Sequence, residues 1–166
     1  MLSRKLSVDR YFPILQAFKE EFKNHISRIY QRNIMDLSFA NPDNAGKDLN
    51  HSDYIWINYS KPLEYNPLHN HTGLLSFVYY PDIPEDIRNE WKNQTNNSPS
   101  RGCIEFVASR ELDSLILNPK KGDLFIFDSS HRHEVYPFYS DETRISIAGN
   151  VYGLLDDQGN VIGSFV

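Results

Sequence analysis

The sequence predicts a mainly β fold, a jelly roll or sandwich with one N-terminal helix packed on its outside. Three observations lead there. A helical period of apolar residues occurs once, between about residues 10 and 32. Short runs rich in aromatic and β-branched residues, each closed by turn residues, fill about residues 54 to 152. One helix followed by many short strands suits two packed sheets with a helix against one of them.

The helix is read from Leu15, Phe18, Phe22, Ile26 and Ile29, which recur in steps of three and four. Asp9 can cap its start, and Pro13 is tolerable in a first turn. His25 lies away from the apolar stripe. The period is lost from 33 to 52, where Asn41-Pro42-Asp43-Asn44-Ala45-Gly46 forms a turn cluster and His51 follows in a loop. Strands are then expected at Tyr54 to Tyr59 and at Leu74 to Tyr80, the second ended by Pro81 and Pro84. A short helix is expected from Glu85 to Trp91, and Asn93 to Ser100 has little to bury and forms a loop. Further strands follow at Cys103 to Val107, Leu115 to Leu117, Asp123 to Phe127 and Thr143 to Tyr152. A turn at Asp156 to Asn160 precedes a last strand.

Composition narrows the function. At 166 residues, 40% hydrophobic and 13% aromatic, the chain can fill one domain's core and is not of disordered type. A formal net charge of -5 gives no reason to expect nucleic acid as a partner. No apolar run reaches membrane-spanning length and no signal peptide is visible, so neither membrane nor secretion is expected. The single cysteine, Cys103, excludes an intrachain disulfide and suits a reducing, cytoplasmic setting; it reads as a strand residue.

The chemistry is carried by histidines. Tyr65-Asn66-Pro67-Leu68-His69-Asn70-His71 places two of the six histidines one residue apart. In an extended strand, residues i and i+2 point to one face, so His69 and His71 can present two imidazoles side by side. A third from a neighbouring strand would complete one face of a coordination sphere, and imidazole suits iron, zinc, copper and nickel. His131-Arg132-His133-Glu134-Val135 supplies the candidates. Surface or capping histidines would give the same spacing.

From Asp128 to Tyr152 the chain resembles the C-terminal motif of Fe(II)/2-oxoglutarate-dependent oxygenases, particularly the prolyl hydroxylase branch. That motif has a His followed by Glu-Val-x-Pro and an Arg roughly ten residues on; His133 and Arg144 occupy these positions. Leu74 to Tyr80 resembles the strand after the family's His-x-Asp, and Lys121 to Phe127 resembles the Gly-containing strand before the distal His. With Pro67-Leu68-His69-Asn70-His71, the likeness extends to a small bacterial and phage-type subgroup whose first motif is Pro-x-His-x-His, and it covers roughly residues 54 to 152.

The resemblance implies a double-stranded β-helix, the cofactors Fe(II) and 2-oxoglutarate, O₂ as co-substrate, and a small-molecule or peptide substrate. It implies metal ligation by His69, His71 and His133, and 2-oxoglutarate binding by Arg144 with help from Tyr80 and Ser146. Asn150, on the Arg144 face, and on weaker grounds Asn58 and Trp56, would line the substrate mouth. The family's second ligand is usually Asp or Glu, and here that position is His71. Two readings stand: a three-His site, or a shifted frame in which His71 is the first ligand and Gly73 leaves a vacancy. The first keeps the family spacing at His69 and is preferred. Asp128 reads as a structural cap, His131 as an outer or exposed loop residue, and Glu134 as pointing away from His133. The activity implied is hydroxylation coupled to decarboxylation of 2-oxoglutarate to succinate. A cupin-like three-His dioxygenase that does not use 2-oxoglutarate, and a non-enzymatic jelly-roll binding module, are the alternatives.

Overall fold

The computed structural model describes residues 2–5, 20–28, 36–38, 55–92, 101–107, 114–158 and 160–164. In chain order the elements are β1 (Leu2–Lys5), α1 (residues 20–28), β2 (Asp36–Ser38), β3 (Ile55–Ser60), β4 (Asn66–His69), β5 (Leu75–Asp82) and α2 (Glu85–Lys92). Then come β6 (Ile104–Phe106), β7 (Leu115–Leu117), β8 (Leu124–Asp128), β9 (His133–Val135), β10 (Arg144–Val151), β11 (Gly153–Leu155) and β12 (Val161–Ser164). They form a five-stranded sheet in the order β1-β3-β10-β5-β8, a four-stranded sheet β4-β9-β6-β7, and a small sheet β12-β11-β2. Among the described residues every pairing is antiparallel. The expected mainly β jelly roll is the fold observed.

Strand alternation sorts the core into two clusters. Along β5, Leu75 and Phe77 face one way and Val78 and Tyr80 the other; along β8, Leu124 and Ile126 oppose Phe125 and Phe127. Leu75, Phe77, Leu124 and Ile126 pack with Phe22 and Ile26 of α1. Both helix residues are buried, and the Phe22 and Phe77 rings lie 5.7 Å apart. Val78, Tyr80, Phe125 and Phe127 instead meet Ile104, Phe106, Leu117 and Val135 of the four-stranded sheet. The five-stranded sheet is thus covered by a helix on one face and a second sheet on the other. That is why β5 reads as an almost unbroken apolar run, and each large side chain so buried stabilises the fold by about 1.5–3 kcal/mol.

The helix expected over 10 to 32 is present where it is described, at 20–28. Leu15, Phe18, Ile29, Asp9 and Pro13 lie outside the described residues, as do the loop of 93 to 100, the turn cluster at 41 to 46 and His51.

Five elements differ from expectation. β5 does not stop before Pro81 but runs to Asp82. The β5–β10 register shifts here, Asp82 facing Ile145 and Tyr79 facing Ile147, so Tyr80 and Pro81 share the place opposite Ser146. A bulge accommodates the missing proline N–H and re-aims its neighbours. β4 ends at His69, so His71 lies beyond the regular strand. Finally, β1, β2 and β11 have no counterpart in the expected set. β1 and β2 are short edge strands held by main-chain pairing, which leaves little side-chain period to read.

Candidate active site

Three histidines converge between the two sheets. His69 and His133 are direct partners across β4 and β9, with ring centroids 4.3 Å apart. The His71 ring is 4.9 Å from that of His69 and 5.1 Å from that of His133. One nitrogen from each lies within 4.8 Å of the others. His71 reaches this cluster from the turn after β4, where its N–H donates to Ser129 O at 2.8 Å.

Two of the rings are oriented by main-chain carbonyls. His69 Nδ1 donates to Pro67 O at 2.6 Å, and His133 Nδ1 donates to His131 O at 3.1 Å. A carbonyl only accepts, so each Nδ1 carries the hydrogen and each Nε2 keeps its lone pair. Phe127 and Phe106 pack on the His133 ring, at 4.7 and 5.9 Å. Burial, and then the neighbouring imidazoles, lower His71 to about 4. Burial likewise lowers His133 to about 4, against the opposing pull of its bond to the His131 carbonyl. Both are therefore neutral near pH 7, the protonation state that a metal ligand needs.

The same cavity, of about 210 Å³, contains the guanidinium of Arg144. Arg144 is 4% exposed. Its Nη1 donates to Gly102 O at 2.8 Å and its Nη2 to Ser60 Oγ at 3.4 Å, while its buried Nε has no partner. The Phe138 ring lies 5.6 Å from its central carbon. Among the described residues no carboxylate pairs with it. Gly102 has φ +72°, and a Cβ there would come within 2.9 Å of Ile87 Cγ2. Only glycine fits the turn that presents this carbonyl to Arg144.

Strand register builds the rest of the wall. Arg144, Ser146 and Ala148 of β10 face Ser60, Asn58 and Trp56 of β3, and all six line the cavity. Asn58 Nδ2 donates to Ser146 Oγ at 3.4 Å. Tyr80, fully buried, lines it from β5; burial pushes its hydroxyl up to about 12, so it stays protonated beside Arg144. The Trp56 ring lies 5.9 Å from that of His71.

The cavity therefore brings together His69, His71, His133, Arg144, Tyr80, Ser146, Asn58 and Trp56. Asn150, expected at the substrate mouth, does not line it: further along β10, its Oδ1 accepts from Ser76 Oγ at 2.8 Å in a buried cluster. Gly73 adopts φ +117°, and a Cβ there would meet Val151 O at 3.0 Å, so it serves the turn that carries His71. His131 is exposed and contributes its carbonyl. Asp128 caps the following turn through Ser130 N and Oγ, at 2.8 and 2.6 Å. Glu134 faces Glu105 on the neighbouring strand and bonds the Tyr65 and Tyr136 hydroxyls. Cys103 is buried, one residue before β6. Ser60 and the Gly102 carbonyl, both on Arg144, went unread in the sequence. Ser60 was within reach, since Trp56, Asn58 and Ser60 share the strand's period of two.

Among solved structures, the chain is similar to an oxidoreductase of the 2OG-Fe(II) oxygenase family from Burkholderia pseudomallei. The identity is 16%, with 57% of this chain and 40% of that one covered and a TM-score of 0.41. A prolyl-4-hydroxylase from Pseudomonas putida is 18% identical, over 58% of this chain and 50% of that one, with a TM-score of 0.40. The Drosophila melanogaster CENP-C cupin domain is 12% identical, over 69% and 74%, with a TM-score of 0.42. The chain thus spans half or less of the length of the two oxygenases. No curated protein matches it. Among the described residues no helix is long and apolar enough to cross a membrane. The family model described as "Putative 2OG-Fe(II) oxygenase" matches residues 54–150, the segment that holds every cavity residue named above. The chain belongs to the 2OG-Fe(II) oxygenase family, which implies an oxidoreductase with Fe(II) and 2-oxoglutarate as its cofactors.

Proposed function

We propose that this protein is a hydroxylase in which His69, His71 and His133 hold Fe(II) and Arg144, with Tyr80 and Ser146, receives 2-oxoglutarate. The observation that carries the reading is Arg144. A buried guanidinium without a counter-charge costs several kcal/mol; no carboxylate among the described residues pairs with Arg144, and it sits in one cavity with three histidines, one nitrogen of each within 4.8 Å of the others. An incoming dicarboxylate would supply the missing counter-charge, and the guanidinium fork matches a carboxylate. The donor set also fits the metal. Neutral imidazoles suit ferrous iron, and main-chain carbonyls fix the tautomers of His69 and His133.

When bound, iron and 2-oxoglutarate together activate O₂, and decarboxylation to succinate and CO₂ drives oxidation of a substrate C–H bond. The chain's own groups do the rest. Arg144 holds the distal carboxylate, Tyr80 offers a protonated hydroxyl beside it, and Ser146 and Asn58 form a polar pair on the same wall. Phe127, Val78 and Ile104 exclude water. Trp56, next to His71 and away from Arg144 along the wall, would meet the substrate, a small molecule or a peptide. Residues 54–152 would form the catalytic core of one domain, with the helix of 10–32 outside it, working in the reducing cytoplasm that a lone buried thiol suits.

A second reading draws on the absence of a carboxylate among the three convergent ligands: a cupin-like dioxygenase that does not use 2-oxoglutarate. Turnover separates the two. Fe(II)-loaded protein given O₂ and 2-oxoglutarate, with a panel of peptides and amino acids, should release succinate. Absence of both succinate formation and 2-oxoglutarate binding would overturn the proposal in favour of the cupin-like reading.

A further inference from the structure

His71 differs from its two partners in how it is held. The rings of His69 and His133 are each tied to a main-chain carbonyl through Nδ1. Among the described residues, no hydrogen bond ties the ring of His71. It also lies outside the regular strand, so its place depends on the turn that carries it.

That turn is fastened at both ends. The His71 N–H donates to Ser129 O at 2.8 Å, Ser129 N donates to Leu74 O at 3.4 Å, and Leu74 N donates to Val151 O at 2.8 Å. Ser129 is completely buried and belongs to a chain of side-chain bonds. Ser76 Oγ donates to Asn150 Oδ1 at 2.8 Å, and the Ser76 and Ser129 hydroxyls are 2.9 Å apart. The one Ser76 hydroxyl hydrogen is committed to Asn150, so Ser129 Oγ donates to Ser76 Oγ. The chain runs Ser129 to Ser76 to Asn150, from the end of β8 through β5 to β10. All three side chains are buried, where a broken polar chain leaves an unsatisfied group.

We propose that Ser129, Ser76 and Asn150 are positioning residues for His71, fixing through the Ser129 carbonyl a metal ligand whose ring no described residue ties by a hydrogen bond. The inference rests on the reading of His71 as a ligand. It gives Asn150 and Ser76 a role in the site although neither lines the cavity.

The test uses the full-length metal-free protein and Co(II) as a spectroscopic substitute for Fe(II). Loss of outer partners of metal ligands weakens binding by about 10–100-fold. Ser129→Ala and Ser76→Ala should each weaken Co(II) binding by about tenfold and change the visible ligand-field spectrum. Should Ser129→Ala fail to fold, the nearly isosteric Ser76→Cys, a weaker hydrogen-bonding partner, carries the same expectation. Amide hydrogen exchange in the metal-free protein gives a second readout. The His71 amide should exchange faster in the variants, while the Tyr80 amide, bonded to Asp123 O, keeps the parent rate. Unchanged affinity, spectrum and His71 exchange in variants that fold would overturn the proposal. A parent protein that binds no Co(II) would instead overturn the metal reading beneath it, and His71 exchange would still decide whether the chain fixes the turn.

Discussion

His69 and His133 face each other directly across β4 and β9, their rings 4.3 Å apart and each anchored by Nδ1 to a main-chain carbonyl. Two imidazoles on facing strands, each with its Nδ1 engaged, and the nearby ring of His71 would make the clamp for the proposed Fe(II).

Replacing each histidine with alanine and measuring iron by elemental analysis tests the clamp. The parent should hold one Fe(II) per chain after anaerobic loading, and each single variant should fall well below that stoichiometry. Full iron in His69→Ala, with loss in His71→Ala and His133→Ala, would favour the frame in which Gly73 leaves an open position.

Arg144 gives two outcomes of opposite sign. Arg144→Ala should lose about 3–5 kcal/mol of 2-oxoglutarate binding, because the cofactor's carboxylate is then left unmatched. At about 1.4 kcal/mol per tenfold, that is a hundredfold or more in Kd. Lysine should recover only part of it, since a point charge does not reproduce the fork. Arg144→Met should melt no lower than the parent when cofactor-free, because it removes a buried charge that no carboxylate among the described residues pairs, at the expense of two hydrogen bonds to neutral groups. Anaerobic titration of the Fe(II) protein and thermal melts of the metal-free protein read the two effects. Equal 2-oxoglutarate affinity in parent and Arg144→Ala would refute the assignment.

Stability of the metal-free protein should depend on the histidines. Folded His71 and His133 titrate at about 4, lowered chiefly by burial, whereas an unfolded histidine titrates at about 6.5. Between these values the unfolded chain binds more protons, so the contribution is whole above about pH 6.5 and is lost as pH falls toward 4. The parent should melt at a lower temperature at pH 5 than at pH 7. The double variant His71→Gln, His133→Gln should show a smaller drop over that interval. An equal drop in the two proteins would mean that these rings titrate normally.

Phe22 tests the docking of α1 on the five-stranded sheet. It is 0% exposed and packs on Phe77. Phe22→Ala should cost about 3–5 kcal/mol in denaturant unfolding, the range for a buried phenylalanine reduced to alanine. Deletion of residues 1–32 should leave insoluble or non-cooperatively melting protein. A cooperative melt with full metal binding in the truncated chain would separate the helix from the core.

What the sequence determined by itself was whatever follows from local period and order. Side-chain alternation is a property of a single strand, so it put Arg144, Ser146 and Asn150 on one face of β10 and turned Glu134 away from His133. The order of the histidine pair, the later histidine and the arginine pointed to the oxygenase family, and the family match spans the same stretch. Only the tertiary structure decided how His71 reaches its partners, since it leaves the strand and is carried in by a turn held from β8 and β10. It alone withdrew Asn150 from the cavity, brought Ser60 and the Gly102 carbonyl onto Arg144, and left that guanidinium without an acid among the described residues. These depend on contacts between residues distant in the chain and on burial, which sets whether a histidine is neutral and whether a buried charge needs a partner from outside.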